Sequence, residues 1–172
     1  EKGALWSTDL EFYEGVNINN RSFSNFRTDL RFYVTLENTH TTLATRIGGG
    51  HNVGDAPFFK ANVLGGNQGL GFTGNLRGMR RSRFAGETSF YHNIEVRQKL
   101  SYFKSYLATA LVGINLFMDQ GRVWQPGEDS DTWHRSFGGG VWMRLFYKWV
   151  ITTSYAKSDV DETFDVQIGF LF

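Results

Sequence analysis

The sequence predicts an all-β chain built as an antiparallel transmembrane β-barrel, and three observations carry that prediction. From Asn25 to Glu37 the side chains alternate strictly: Phe26, Thr28, Leu30, Phe32, Val34 and Leu36 on one face, Asn25, Arg27, Asp29, Arg31, Tyr33, Thr35 and Glu37 on the other. A period of two means a strand. The composition joins 20 glycines, 16 phenylalanines, seven tyrosines and five tryptophans to only two prolines. Aromatics favour pleated surfaces, and glycines supply the turns and bulges between them. No apolar run of about 18 residues occurs, which excludes a membrane-spanning helix.

Taken in order, the first strand candidate is Ala4–Glu14, with Ala4, Trp6, Thr8, Leu10 and Phe12 set against Ser7, Asp9, Glu11 and Tyr13. The second, Asn25–Glu37, is longer than the usual globular strand of about 5–6 residues. It suits a barrel strand, which crosses a bilayer in about 9–11 residues. Thr42–Val53 and the shorter Pro57–Leu64 follow. Thr88–Leu100 repeats the design, with Phe90, Ile94, Val96 and Leu100 opposite Tyr91, Asn93, Glu95, Arg97 and Lys99. Tyr106–Asp119, Ser136–Tyr147, Trp149–Lys157 and Thr163–Phe172 bring the total to about nine strands. Short connections (Asp55–Pro57, Phe103–Ser105, Tyr147–Lys148) alternate with longer polar ones (65–86, 121–135, 158–162), the pattern of periplasmic turns and extracellular loops. Asn17–Ser24 is longer than that rule predicts.

The closing strand separates a membrane barrel from a soluble β-sandwich, which also alternates. Phe164, Val166, Ile168, Phe170 and Phe172 form one apolar row. On an edge strand in water such a row invites aggregation; in a bilayer it is the lipid face, with the last aromatic at the interfacial belt. Gly169 weakens the interior packing of this strand.

Charge and cysteine content exclude several functions. Lys and Arg total 18 against 17 acidic residues, so no chain-wide basic field exists and nucleic acid is not an expected partner. With no cysteines, disulfides, thiolate zinc sites and cysteine nucleophiles are absent. The Glu1-Lys2-Gly3 start is not a signal peptide, so the expectation is a processed chain or a piece of a longer one. His40, His51, His92 and His134 lack metal-ligand spacing, and neither a metal nor a cofactor is expected. Gly69-Leu-Gly-Phe-Thr-Gly74 fits a dinucleotide fingerprint by letter, but no helical pattern follows it. Asp129, Asp131, Asp159, Asp161 and Glu162 cluster in outer loops, the one hint of an outer-membrane hydrolase. No nucleophile is paired with a base there, and solvated or cation-bridging acids are the expected reading.

The local exception to charge balance is the stretch Asn75-Leu-Arg-Gly-Met-Arg-Arg-Ser-Arg-Phe-Ala-Gly86, which holds Arg77, Arg80, Arg81 and Arg83. One reading is an exposed loop that meets glycolipid phosphates.

Several landmarks follow one another along the chain: Val63-Leu-Gly-Gly66, Asn75-Leu-Arg-Gly-Met79, Arg83-Phe-Ala-Gly86, Ile94-Glu-Val-Arg97, Leu116-Phe-Met-Asp-Gln-Gly-Arg-Val123, Gly138-Gly-Gly-Val-Trp142 and Phe172. In this order they resemble the C-terminal half of the BamA/TamA-type outer-membrane assembly barrels, the bacterial surface antigen family related to two-partner secretion transporters. The motifs span roughly residues 57–172, and residues 1–56 fit as further barrel strands. That resemblance implies a sixteen-strand barrel in the bacterial outer membrane, with the loop 65–87 folded into the lumen as a plug. Leu76, Arg77, Gly78 and Met79 hold the loop motif, and Glu95, Phe117 and Asp119 are the implied partners of Arg77. The family carries an aromatic where this chain has Met79, which implies a looser contact. Arg80 and Arg81 are expected in solvent or against lipid.

The resemblance also implies a non-enzymatic role in inserting outer-membrane proteins or translocating polypeptides. Its implied partners are outer-membrane lipids, unfolded outer-membrane protein substrates, and remaining barrel strands or another polypeptide completing the barrel. The alternative is a self-contained eight-stranded structural or small-pore barrel, which arises if Pro57–Leu64 does not span. An eight-stranded barrel is filled by its own side chains, so a plug loop demands a larger one. Residues 1–172 are therefore expected to be one barrel region, part of a wider barrel.

Overall fold

Alternating side chains produce long strands that pair in sequence order. The computed structural model describes residues 2–15, 22–66, 74–104, 109–129 and 131–172. Its strands are β1 (Lys2–Tyr13), β2 (Phe23–Leu36), β3 (Thr41–Gly54), β4 (Asn62–Leu64), β5 (Phe84–Gly86), β6 (Thr88–Lys104), β7 (Thr109–Trp124), β8 (His134–Leu145), β9 (Trp149–Ser158) and β10 (Glu162–Ile168). One 8-stranded antiparallel sheet runs β1-β2-β3-β6-β7-β8-β9-β10, while β4 and β5 pair only with each other. The sheet is open, with β1 and β10 at its edges. Most of the 69–74 glycine stretch, part of the Asn17–Ser24 connection and the Tyr106 start expected for β7 lie outside the described residues.

The long strands turn most of their charged and amide residues to one side and most of their apolar residues to the other, inverted relative to a soluble protein. The buried side holds Asn25, Asp29, Arg46, Asn93, Glu95, Arg97, Asn115 and Asp119, whereas Trp6, Phe12, Leu116 and Ile168 are 73, 76, 65 and 77 % exposed. A soluble sandwich packs its apolar rows between two sheets. Here all the long strands lie in one sheet with the apolar row outward, which removes the sandwich alternative. Exposed apolar area of this extent marks a lipid or protein contact.

Pro57–Leu64 is not a spanning strand. Phe58–Lys60 form a single 3-10 turn preceded by Pro57 at φ −67°, and only Asn62–Leu64 extend, against β5. Adjacent Phe58 and Phe59 are both exposed, so the period of two is broken, and Pro57 has no N–H to give to a ladder. Asp55–Pro57 is accordingly not a hairpin turn but the start of one long connection between β3 and β6. This correction also explains the length of Asn17–Ser24. With antiparallel alternation, the β1–β2 connection lies at the same end of the sheet as the long β3–β6, β7–β8 and β9–β10 connections.

The closing strand also departs from expectation. Phe164, Val166 and Ile168 stand exposed on the apolar side, but β9–β10 pairing stops at Ile168 opposite Ile151. Gly169 then takes φ +96°, a left-handed conformation that glycine adopts without the steric cost a Cβ brings. The chain leaves the sheet there, so Phe170 and Phe172 do not continue the apolar row. Leu171 and Phe172 are instead buried with Ala44, against Tyr33.

Candidate functional site

The long connection folds back over the polar side of the sheet. Asn75 clips its two arms together: its Oδ1 accepts from the Gly65 N–H at 2.9 Å, and its Nδ2 donates to the Val63 carbonyl at 2.9 Å. The Asn75 carbonyl accepts from Asn93 Nδ2 of β6 at 2.7 Å. Leu64, Leu76, Met79 and Tyr91 form a small apolar cluster beneath the loop, joined by Phe84 and Val123. Met79 is only 2 % exposed in this cluster. An unbranched thioether fills an irregular gap well.

Arg77 lies at the tip of this fold, fully surrounded. Its Nε donates to Asp119 Oδ2 and its Nη2 to Asp119 Oδ1, both at 2.8 Å, in a bidentate fork. Its Nη1 donates to Glu95 Oε2 at 2.5 Å, and its backbone N–H to Asp119 Oδ2 at 3.0 Å. The guanidinium lies 3.5 Å from the Phe117 ring centroid. Burial opposes the charge, but the neighbouring Asp119 and Glu95 carboxylates outweigh it and raise the Arg77 pKa above the ordinary guanidinium value. The structure thus brings Arg77, Glu95, Phe117 and Asp119 together, with Leu76, Gly78 and Met79 beside them.

Strand register explains the meeting. Glu95 stands opposite Phe117, and Asn93 opposite Asp119, so the two carboxylates flank the ring on one face. Phe117 in turn stands opposite Gly138, where a Cβ would lie 2.7 Å from the ring; the missing side chain gives the ring its room. Gly78 takes φ +75°, and its carbonyl accepts from Ser158 Oγ at 2.7 Å. The loop is thereby tied to β9 as well as to β6 and β7.

A second polar cluster lies beside the first and was not singled out from sequence. Asp29 accepts from Arg31 Nε at 2.6 Å, from the Tyr91 hydroxyl at 2.7 Å, and from Arg46 Nε. Arg46 also donates to the Gly74 carbonyl at 3.0 Å, so it holds the returning arm of the loop. Arg97 belongs to the first cluster: its Nε donates to Glu95 Oε1 at 2.9 Å, beside Asn115 Nδ2 at 3.2 Å. The signal for Asp29, Tyr91 and Arg97 was present, since alternation sets all three on polar faces.

Several of the remaining candidates have structural partners. Arg80 is exposed, with Asp161 at 3.6 Å, and Arg81 and Arg83 are exposed too. In the outer acidic group, Asp131 meets Arg122 at 2.7 Å, Asp159 meets His134 at 3.2 Å and Glu162 meets Lys157 at 2.7 Å. The His134 ring stacks on Phe84 with centroids 3.5 Å apart. Of the closing-strand residues, Phe164, Val166 and Ile168 remain on the apolar side, whereas Gly169, Phe170 and Phe172 form the inward turn.

What this arrangement does is mechanical: it fixes one loop over the polar side of a sheet whose other side is apolar. No curated protein matches the chain. A family model described as the Omp85 superfamily domain matches residues 1–158, and therefore includes the first three strands, for which the sequence motifs gave no specific landmark.

Proposed function

The chain belongs to the Omp85 superfamily, and from that premise we propose that it is the barrel region of a bacterial outer-membrane machine that inserts or translocates polypeptides without chemistry of its own. Superfamily domains are outer-membrane proteins with assembly or translocation roles. The observation that carries the finer reading is the docked loop. Its arginine is neutralised by two carboxylates on the polar side of the sheet, the side that faces a lumen when the apolar side faces lipid.

In this reading 1–172 is one barrel region with 65–87 as its plug, and the strands are lipid-facing on their apolar side. The partners are outer-membrane lipids, unfolded outer-membrane protein substrates, and further strands that pair with the open edges of β1 and β10. The unclosed sheet and the space taken by the loop weigh against a self-contained eight-stranded pore, whose interior has room only for its own side chains.

The test is reconstitution of the full-length protein in phospholipid vesicles, followed by addition of a urea-unfolded outer-membrane barrel protein. Insertion, read by protease protection, should exceed that into empty vesicles. Arg77→Glu, which sets a third carboxylate against Glu95 and Asp119, should abolish the gain, and Asp119→Arg in the same chain should recover part of it. Ion conductance with no gain in insertion would support a passive pore instead, and an unimpaired Arg77→Glu protein would remove the loop anchor from the mechanism.

A further inference from the structure

The segment after Gly169 has no place in the proposed role so far, yet it is among the best-held parts of the polar side. The Gly169 N–H donates to the Val150 carbonyl at 2.7 Å, and the Gly169 carbonyl accepts from Thr152 Oγ1 at 2.8 Å. Beyond that turn, Phe170 meets Trp142 of β8 edge to face, with centroids 5.5 Å apart. Leu171 and Phe172 reach Ala44 of β3 and Tyr33 of β2. The segment therefore crosses the polar side from the β9–β10 edge almost to the other.

Arg97 holds this crossing. Its Nη2 donates to the Phe172 carbonyl at 2.6 Å, and its guanidinium lies 3.8 Å from the Phe170 ring centroid and 5.7 Å from that of Phe172. Its Nε donates to Glu95 Oε1, while Glu95 Oε2 accepts from Arg77. One buried carboxylate is thus shared between the arginine of the loop and the β6 arginine that holds residues 169–172. We propose that Arg97 is a positioning residue that seats residues 169–172 on the polar side, and that through Glu95 this seating is coupled to docking of the loop at Arg77.

The direction follows from charge. Arg77 and Arg97 both donate to Glu95, and Arg77 also to Asp119. When Arg77 leaves, one guanidinium faces two buried carboxylates, and Glu95 Oε2 loses its donor. A bidentate contact of Arg97 with Glu95 then satisfies both oxygens. With Nε already on Oε1, Nη2 is the other prong of that fork, and turning it to Oε2 takes it from the Phe172 main-chain oxygen and shifts the plane stacked on Phe170. Undocking of the loop therefore loosens the terminal segment, and by reciprocity release of the segment weakens the loop anchor. This coupling is a property of the cluster and does not depend on which polypeptide the machine handles.

Hydrogen exchange of the full-length protein in lipid tests it. Arg97→Met should speed exchange in the peptide spanning 169–172. Arg77→Met should speed it at least about fivefold, the lower end of measured coupling between sites, although the hydrogen bonds and ion pairs of Arg77 go to Glu95 and Asp119 and not to that segment. Exchange in β2 and β3 should be unchanged in both, which separates coupling from general loss of stability. Arg97→Lys, which keeps the charge but not the fork, supplies an intermediate value and an alternative if the Met variant does not fold. The chain has no cysteines, so a disulfide between Ala44→Cys and Leu171→Cys gives a second measure, and its yield should fall when Arg77→Met is added. Faster exchange with Arg97→Met but not with Arg77→Met overturns the coupling; no change with either Arg97 variant overturns the seating as well.

Discussion

Replacing Arg77 by Met tests how strongly the loop is held. Arg77 is 2 % exposed and its two carboxylate partners are fully buried, so solvent screening does not discount the loss. The substitution strips Asp119 of both guanidinium donors and Glu95 of one. Breaking a buried pair from one side costs about 3–5 kcal/mol. Loss of the guanidinium over Phe117 adds about 1–2 kcal/mol, part of which the thioether recovers against the ring. With about 3 kcal/mol as the lower bound and 1.4 kcal/mol per tenfold, the undocked loop becomes on the order of 100-fold more populated. Hydrogen-exchange mass spectrometry of the full-length protein in lipid reads this directly, because the backbone N–H of residue 77 itself donates to Asp119. The peptide containing residues 76–79 should exchange about 100-fold faster, as local opening governs its rate. Adding Asp119→Leu removes the stranded charge and leaves Arg97 balanced by Glu95, so the double variant should return to within about tenfold of the wild type. Exchange within about threefold of wild type in the single variant, or a double variant as fast as the two singles combined, would refute this account of the anchor.

Two further substitutions probe the backbone around the anchor. Gly78→Val forces a β-branched residue to φ +75° with its Cβ 3.2 Å from Ala156. It should cost about 1–3 kcal/mol and accelerate exchange at 76–79 while the ends of β2 and β3 stay protected. Gly138→Ala sets a methyl 2.7 Å from the Phe117 ring and 2.2 Å from the Tyr155 carbonyl oxygen. It should lower stability to urea by about 1–3 kcal/mol; Phe117→Leu in the same chain should recover the part due to the ring but not that due to the carbonyl, and full recovery would show the backbone contact to be harmless.

How far the sequence discloses this structure depends on the range of the contact concerned. Alternation within a strand is local, so the polar placement of Glu95, Asp119, Asp29, Tyr91 and Arg97 is readable from neighbouring residues. Which of these inward polar groups meet depends on register between strands and on where the loop lands. Arg77 reaches Asp119 and Arg97 reaches Phe172 across separations that no window of alternation spans. Resemblance to a family bridged the first of these gaps and not the second. Pro57–Leu64 misled because its apolar content suggests a strand, although Pro57 and the adjacent Phe58 and Phe59 already break the period. The inward turn at Gly169 misled for the opposite reason: Phe164 to Phe172 keeps an unbroken period of two, and the weak point that Gly169 makes in it does not say that the chain turns inward there.

An ionic anchor holds the loop differently from an apolar one. Apolar contacts tolerate many orientations, and a loop held only by Leu64, Leu76 and Met79 could slide over the polar side without large loss. A guanidinium forked onto one carboxylate, touching a second and stacked on a ring, satisfies its donors in one position. Such a cluster adds little net stability relative to well-packed apolar residues of the same volume, but it is costly to break from one side. Partly engaged positions of the loop are consequently disfavoured by unpaired buried charge. Lysine could not supply this, because a point charge on a flexible stem does not define the plane of its partners. A discrete two-position element is what coupling between separate segments requires, and a carboxylate shared by Arg77 and Arg97 gives loop and terminal segment a common one.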